Sequence, residues 1–238
     1  MCPSYEAVLS GNMMRRRMIA VLVLFLCATS AMTQQFQLWN QYPESNGNYI
    51  VPYKFTGTYS PEQLSMITTA MQKIADNTCV EFKRCTDEEE FVDIVNKIDG
   101  SCGANVGRTG EKRIYLESNE NENCMNEKTV MVNLLHSLGL SFEHQRVDRD
   151  KYITVHFENI ADPHLRLFLS EADLTQNYLS VPYDYLSIMH GEKNAYAKPG
   201  TTTIETLDPT YQDQIGTATE PSAHDYEKIN LLFKCDKH

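Results

Sequence analysis

The residues whose types and spacing could do chemistry lie between positions 132 and 143. This segment follows the frame H-E-x-x-H-x-x-G-x-x-H, in which histidines bind zinc and the glutamate acts as a general base. His136 and Gly139 fit the frame. Val132, Asn133 and Phe142 stand where the first histidine, the glutamate and the third histidine belong. The segment therefore predicts the scaffold of a zinc-dependent hydrolase in which three chemical groups are changed.

The metal ligands of this frame are mostly absent from the sequence. A catalytic zinc ion takes three protein ligands and keeps one open position. Valine and phenylalanine offer no lone pair, so His136 is the only ligand retained. His144 lies two residues beyond the third ligand position, and it could reach the metal only if the turn refolded. The residues therefore predict no cofactor, and zinc would bind only through an atypical ligand set.

The general base is also changed. In the frame, the glutamate removes a proton from the metal-bound water, and Asn133 cannot take a proton at neutral pH. Loss of a general base alone costs about 10²–10⁴ in rate. No catalytic residue is therefore expected in this segment.

The elements that must position the segment follow from hydrophobic periodicity. Tyr49–Phe55 is predicted as a strand at a sheet edge, because Pro52 cannot donate a ladder hydrogen bond. Ser60 is predicted to cap a helix, and Lys128 to Leu140 to form the helix that carries His136. Further strands are predicted at 80–82, 91–95, 113–116 and 152–157, and further helices at 162–170 and after residue 222. This order of elements predicts an α+β fold.

Residues 1–31 are predicted to be a signal peptide. Three arginines at 15–17 precede an apolar run from Met18 to Cys27, and small residues follow. A signal anchor is the alternative, although the run is short for a bilayer span. The chain is then divided into a signal peptide at 1–31, a short N-terminal segment at 32–46, a folded domain at 47–235 and a tail at 236–238. The mature protein is expected to be secreted.

The charge of the chain limits its partners. It has 21 basic and 32 acidic residues, a net charge of −11, and removal of three arginines and one glutamate with residues 1–31 leaves −13. Such a surface repels nucleic acid and anionic lipid, so neither nucleic acid nor membrane is expected as a partner. Five cysteines lie beyond residue 31, and most should pair in an oxidising compartment. Because five is odd, one thiol is left over.

The frame and several further motifs resemble one family, the astacin zinc metalloendopeptidases of the metzincin clan. The resemblance extends from about Trp39 to Cys235, and it depends on the order and spacing of the motifs. These motifs are Ile50–Tyr53, Cys102–Gly103, Val106–Gly110, Leu134–Gly139, Glu143–Asp150, Tyr183–His190 and Lys228–Asn230.

The resemblance implies a two-lobed domain with an extended substrate cleft between the lobes. The N-terminal lobe would hold a twisted sheet and helices, and the other lobe would hold the Met-turn around Met189 and the C-terminal helix. In the family, a tyrosine that stabilises the transition state follows Met-His, where this chain has Gly191. The resemblance also implies two disulfides and an unpaired thiol: Cys79–Cys235, Cys102–Cys124 and free Cys85.

Together these observations favour a secreted, astacin-like protein without protease activity. It would bind an extracellular peptide or protein in its cleft and would be a monomer. The alternative is a functional zinc metalloendopeptidase with an atypical ligand set, and a third hypothesis is a purely structural protein. Metal content, measured together with cleavage of a denatured protein, distinguishes the first two.

Overall fold

The computed structural model describes residues 37–97, 102–118 and 124–235. The predicted signal peptide at 1–31 and the tail at 236–238 lie outside the described residues, as do residues 32–36 of the short N-terminal segment. Within the part of the chain that is described, no helix is long and apolar enough to cross a membrane.

Seven strands and four α-helices occur among these residues. The strands are β1 (Tyr49–Gly57), β2 (Val80–Arg84), β3 (Val92–Asn96), β4 (Gly103–Ala104), β5 (Arg113–Tyr115), β6 (Ile153–Val155) and β7 (Ile204–Thr206). The helices are α1 (Pro61–Asn77), α2 (Glu127–Leu138), α3 (Ala172–Thr175) and α4 (Ala223–Phe233). A sheet with two long helices comes first and mostly irregular chain follows, which confirms the α+β prediction.

Five strands form one sheet in the order β2-β1-β3-β5-β4. β1 pairs in parallel with β2 and β3, β3 pairs in parallel with β5, and β4 pairs antiparallel with β5. The predicted edge position of β1 is therefore wrong. Pro52 is tolerated inside the sheet because the ladder with β3 begins one residue later, at Tyr53, so the missing N–H removes no bond to β3.

Two helices cover this sheet and form the larger hydrophobic core. Ser60 caps α1 as predicted: its Oγ accepts from the Gln63 N–H, and the Gln63 side chain accepts from the Ser60 N–H. α1 buries Ile67 and Ile74. α2 is buried along most of its length, because it lies within the same core. The sheet and α1 thus hold α2, and with it His136, in place.

The chain from 140 to 222 is mostly irregular and surrounds a smaller core. β6 and β7 form a two-stranded antiparallel sheet, and the predicted strand at 152–157 is confirmed only over 153–155. The helix predicted at 162–170 is instead a 3₁₀ turn, His164–Phe168. Phe168 is its only buried residue, so this segment has no apolar stripe that would stabilise an α-helix.

Two disulfides tie distant parts of the described chain together. Cys79, at the start of β2, pairs with Cys235 beyond α4, and Cys102 pairs with Cys124. Cys85 is the free cysteine of the described region. These are the pairs that the family resemblance implies.

Candidate active site

Helix α2 and the turn that follows it bring His136 and Phe142 together. Gly139 ends the helix with φ = 113°, a left-handed conformation that glycine adopts without strain. The chain therefore turns back, and the Phe142 ring meets the His136 ring edge-on with centroids 4.5 Å apart. His136 is buried, and its Nδ1–H donates to the Leu140 carbonyl at 2.6 Å. Its Nε2 is thus the nitrogen left to face a ligand.

Apolar side chains occupy the two other ligand positions. The Phe142 ring is stacked on His144 with centroids 5.2 Å apart, so the phenyl group lies between two imidazoles. Val132 is half-buried and packs against the larger core. Both replacements remove polar groups that would otherwise be buried without a partner.

Asn133 stands at the general-base position of the frame and is hydrogen-bonded within its own helix. Its Nδ2 donates to the Thr129 carbonyl, one turn earlier in α2, at 2.8 Å. The side chain is 5% exposed, so its amide is held against its own helix. Such an amide cannot take a proton from a bound water.

His144 is engaged at both ring nitrogens. Nε2–H donates to the Leu167 carbonyl at 3.1 Å, and Nδ1 accepts from the Gly191 N–H at 3.2 Å. His144 therefore cannot replace the third ligand unless it loses both bonds. A Cβ atom at Gly191 would lie 2.9 Å from His144 Nδ1, which is too close for a normal contact. The His144 ring can therefore occupy this position because residue 191 has no side chain.

Burial keeps the histidines of this region neutral. Desolvation lowers the pKa of His136 to about 4 and the pKa of His144 to about 3, and it lowers the pKa of His190 to about 4. The neighbouring His190 also lowers the pKa of His144. His190 is satisfied as a neutral ring, because its Nδ1–H donates to the Gly191 carbonyl and its Nε2 accepts from the Tyr183 hydroxyl. The region thus carries no imidazolium at pH 7.

Met189 lies in the predicted turn, directly before His190. It is almost fully buried in the larger core, and its carbonyl accepts from the Glu143 N–H at 3.0 Å. This bond joins the turn around Met189 to the segment that follows α2.

Glu143 is the centre of a buried ionic network. One carboxylate oxygen accepts from Lys228 Nζ at 2.6 Å, and the other accepts from Arg146 and from the Asp184 N–H. Lys228 also lies 3.9 Å from Asp225. The sequence motifs include Glu143 but do not predict this partner. A signal existed, because Lys228 lies on the inward side of α4 beside Ile229 and Leu232.

Removal of Lys228 is expected to destabilise the fold. Lys228→Met leaves Glu143 and Asp225, both at most 1% exposed, without their ammonium partner. Loss of one partner of a buried pair costs about 3–5 kcal/mol, so the free energy of unfolding in urea should fall by that amount. Lys193→Met is the matched control, because the Lys193–Asp213 pair is exposed and should be worth at most about 1 kcal/mol. Equal losses in the two variants would contradict the prediction.

The chain is similar to one family and to several of its relatives. Residues 34–234 match the model of the peptidase family described as Astacin. The chain is 40% identical over 202 residues to "Zinc metalloproteinase nas-5" of Caenorhabditis elegans, covering 84% of this chain and 56% of that protein. It is 33% identical over 191 residues to "High choriolytic enzyme 1" of Oryzias latipes, covering 80% of this chain and 68% of that protein. The chain spans about half the length of several of the curated relatives it matches.

Solved structures show the same likeness. The structure of High choriolytic enzyme 1 from medaka, described as a hatching enzyme zinc-protease, superposes with a TM-score of 0.72 at 30% identity. The match covers 87% of this chain and 97% of that one. Myroilysin matches with a TM-score of 0.51 at 14% identity, covering 87% of this chain and 98% of that one, a likeness of fold alone.

These matches correct the expectation that no cofactor belongs here. The relatives are zinc metalloproteinases, so zinc is the metal that the family implies. The residues of this chain do not fit a three-histidine site, because His136 Nε2 has a valine and a phenyl ring where the other two nitrogens belong. Among residues 37–97, 102–118 and 124–235, no three His, Cys, Asp or Glu side chains are placed to hold one ion. We therefore derive no catalytic step through zinc.

Proposed function

We propose that this chain, which belongs to the astacin family of metalloendopeptidases, has lost peptide-bond hydrolysis and binds peptides in the cleft that its relatives use for substrates. The family acts on peptide or protein substrates, so the ligand class follows from the family. The loss of hydrolysis follows from this chain's own side chains.

The observation that carries the proposal is the position of Asn133. Hydrolysis needs a group that takes a proton from the attacking water, and this amide is bonded to the Thr129 carbonyl at the place where that group belongs. Phe142 fills the space next to His136. Gly191 supplies no hydroxyl to stabilise a developing oxyanion, which is worth about 10²–10³ in rate where such a donor exists. The groups for water activation and oxyanion stabilisation are thus replaced in this chain, whereas main-chain binding of a peptide needs neither of them.

Peptide binding is supported by the edge of the sheet next to α2. β4 ends the five-stranded sheet, and its outer side has no strand partner among the described residues. The Gly107 N–H, just beyond β4, donates to the His136 carbonyl at 2.8 Å, so this edge lies close to His136. An extended peptide can add to a free strand edge through main-chain hydrogen bonds, and these need neither a metal nor a base.

Cleavage of a denatured protein tests the loss of hydrolysis. The purified, oxidised chain is incubated with the substrate and added zinc, with and without a chelator. We expect no chelator-sensitive products. Products that disappear both with the chelator and in a His136→Ala variant would establish the alternative, a metalloendopeptidase with an atypical ligand set.

Selection from a peptide library tests the binding. We expect peptides of about five or more residues to bind, because several main-chain hydrogen bonds along a strand edge are needed for affinity, and we expect Gly103→Val to weaken them. A Cβ at Gly103 would meet no atom within 4 Å, so the fold should accept a valine there, and its branched side chain should crowd a peptide that adds beside β4. Thr154→Val, on the exposed side of β6, is the control. Absence of any selected peptide would leave a structural role for the protein.

We also propose that the chain is secreted after removal of residues 1–31 and that it acts as a monomer in the extracellular space. The basic and apolar pattern of residues 15–27 supports export, and the two disulfides suit an oxidising compartment. N-terminal sequencing of protein recovered from the medium of expressing cells tests the cleavage site. Retention of the intact N-terminus at the cell surface would favour the signal anchor instead.

A further inference from the structure

A groove separate from the candidate active site runs between α1 and the first turns of α2. Its volume is about 270 Å³, and residues 219–220 complete its lining. Its floor is apolar and consists of Met66, Ala70 and Met131. Methionine side chains adapt their shape to different partners, so this floor suits a variable apolar contact.

The rim of the groove is acidic. Glu62 and Glu127 stand on the two helices, and Glu220 is the third carboxylate of the lining. Lys73 is the one cation in the lining, and it is already paired with Glu220 at 2.5 Å. Glu62 and Glu127 form no ion pair with any residue in the described ranges, although each lies in a first helical turn, where a carboxylate is also stabilised by the helix dipole. Glu62 accepts a hydrogen bond from the Ser60 hydroxyl at 2.7 Å, and both carboxylates line the groove without a cation partner among the described residues.

We propose that this groove binds a basic segment of a partner protein, with an arginine or lysine stem on the methionine floor and its cation at Glu62 and Glu127. The Lys73–Glu220 pair, at 2.5 Å and with both residues in the lining, is an example within the chain of a lysine ammonium bound by a carboxylate of this groove. Long basic side chains bury their stems along apolar surface while the charged end stays at a carboxylate. The net charge of −11 favours the approach of a basic partner.

The length of the groove sets the length of the segment. Its α1 wall runs from Glu62 to Lys73, which are eleven residue steps apart at about 1.5 Å per step, or roughly 16 Å. An extended peptide rises about 3.3 Å per residue, so the groove takes about five residues. An alternation of basic and apolar side chains matches a rim of carboxylates over an apolar floor.

The test uses a fluorescein-labelled peptide of three Arg-Leu repeats and the purified, oxidised chain. Binding is measured by fluorescence anisotropy at about 50 mM and about 200 mM salt, because exposed charges become progressively screened over this range. The Glu62→Gln/Glu127→Gln variant is expected to raise Kd by about tenfold at the lower salt concentration. The control is Glu89→Gln/Glu227→Gln, which removes the same charge from positions outside the groove and should leave Kd within about twofold. A peptide of three Glu-Leu repeats should not bind.

A second variant tests the groove without changing charge. Thr69→Trp places a large ring into the groove from an exposed helix position, and Thr68→Trp places the same ring beside it on a residue that does not line the groove. We expect Thr69→Trp to abolish binding of the Arg-Leu peptide and Thr68→Trp to preserve it. Equal effects in the two tryptophan variants, or equal effects in the two glutamine variants, would overturn the proposal. So would failure of the Arg-Leu peptide to bind the wild-type chain.

Discussion

A variant that carries Val132→His, Asn133→Glu, Phe142→His and Gly191→Tyr together is expected to bind close to one zinc ion per chain and to cleave a denatured protein. Positions 132 and 136 are one turn apart on α2, so two imidazoles would project from one face. The Nδ1–H bond of His136 to the Leu140 carbonyl already fixes its ring with Nε2 outward, which is the orientation that a metal ligand needs. Bound zinc and chelator-sensitive cleavage are the measurements.

The fourth substitution in that variant meets an obstacle that the structure makes visible. A tyrosine at position 191 would bring its Cβ to 2.9 Å from His144 Nδ1, so the His144 ring must shift and lose its bond from the Gly191 N–H. The variant with Val132→His, Asn133→Glu and Phe142→His alone avoids this shift, so we expect it to take up zinc equally well. Because it lacks the tyrosine hydroxyl, it should cleave about 10²-fold more slowly than the fourfold variant.

Two results would contradict this account of the restored site. A folded threefold variant without zinc would mean that the turn at Gly139 no longer brings position 142 to His136. Cleavage that survives His136→Ala in the fourfold background would mean that the activity arises elsewhere. The asparagine variant, which keeps Asn133 and changes the other three positions, should bind zinc and lose about 10²–10⁴ in rate, because it lacks the general base.

Local signals in the sequence were sufficient for the elements that hold the site. The capping box at Ser60 lies within four residues, and α2 ends at Gly139 because glycine readily adopts the left-handed conformation. Both features depend on local sequence, so they could be predicted without knowledge of the fold. The α-helix predicted at 162–170 is wrong, because apolar residues in this segment favour a helix only if several of them are buried on one face. In the structure, Phe168 is the only buried residue of the 3₁₀ turn at 164–168. β7 was missed because three residues carry too little periodicity to mark a strand.

Long-range contacts account for what could not be predicted. Lys228 and Glu143 are 85 positions apart, and only the packing of α4 against the turn after α2 brings them together. Likewise, the fit between Gly191 and the His144 ring depends on two segments 47 positions apart. The change at position 191 was predicted as the loss of one catalytic group, and the structure shows that it also makes room for a neighbouring ring.

Acid is expected to unfold this chain well before most of its carboxylates are protonated. Burial lowers the pKa values of His136, His144 and His190 from 6.5 to about 4, about 3 and about 4. Between about pH 6.5 and 4 the unfolded chain therefore binds up to three more protons than the folded chain, and stability rises with pH in that window. The stability that these three neutral rings contribute is fully present above about pH 6.5, and it is lost as the pH falls towards 4.

The size of this effect is comparable to the stability of a typical domain. At about pH 5 each of the three histidines accounts for a loss of about 2 kcal/mol, against a total of about 5–15 kcal/mol for an ordinary domain. Urea unfolding at a series of pH values from about 7.5 to 4.5 should show a slope of about 4 kcal/mol per pH unit near pH 5. A slope near zero between about pH 6.5 and 5 would mean that these rings are not buried in solution.

Single variants assign the slope to particular rings. His144→Gln keeps a donor for the Leu167 carbonyl and an acceptor for the Gly191 N–H, so the fold should persist while the slope falls by about 1.4 kcal/mol per pH unit. His156→Gln is the opposite control, because the carboxylates of Glu205 and Glu158 raise the pKa of His156 and its charged form stabilises the fold in acid. Its removal should leave the slope unchanged or steeper. The two histidines differ in burial and in charged neighbours. A smaller slope in His144→Gln, together with an unchanged or steeper slope in His156→Gln, would show that desolvation around the candidate site sets the acid sensitivity of this protein. The number of histidines alone would not explain such a difference.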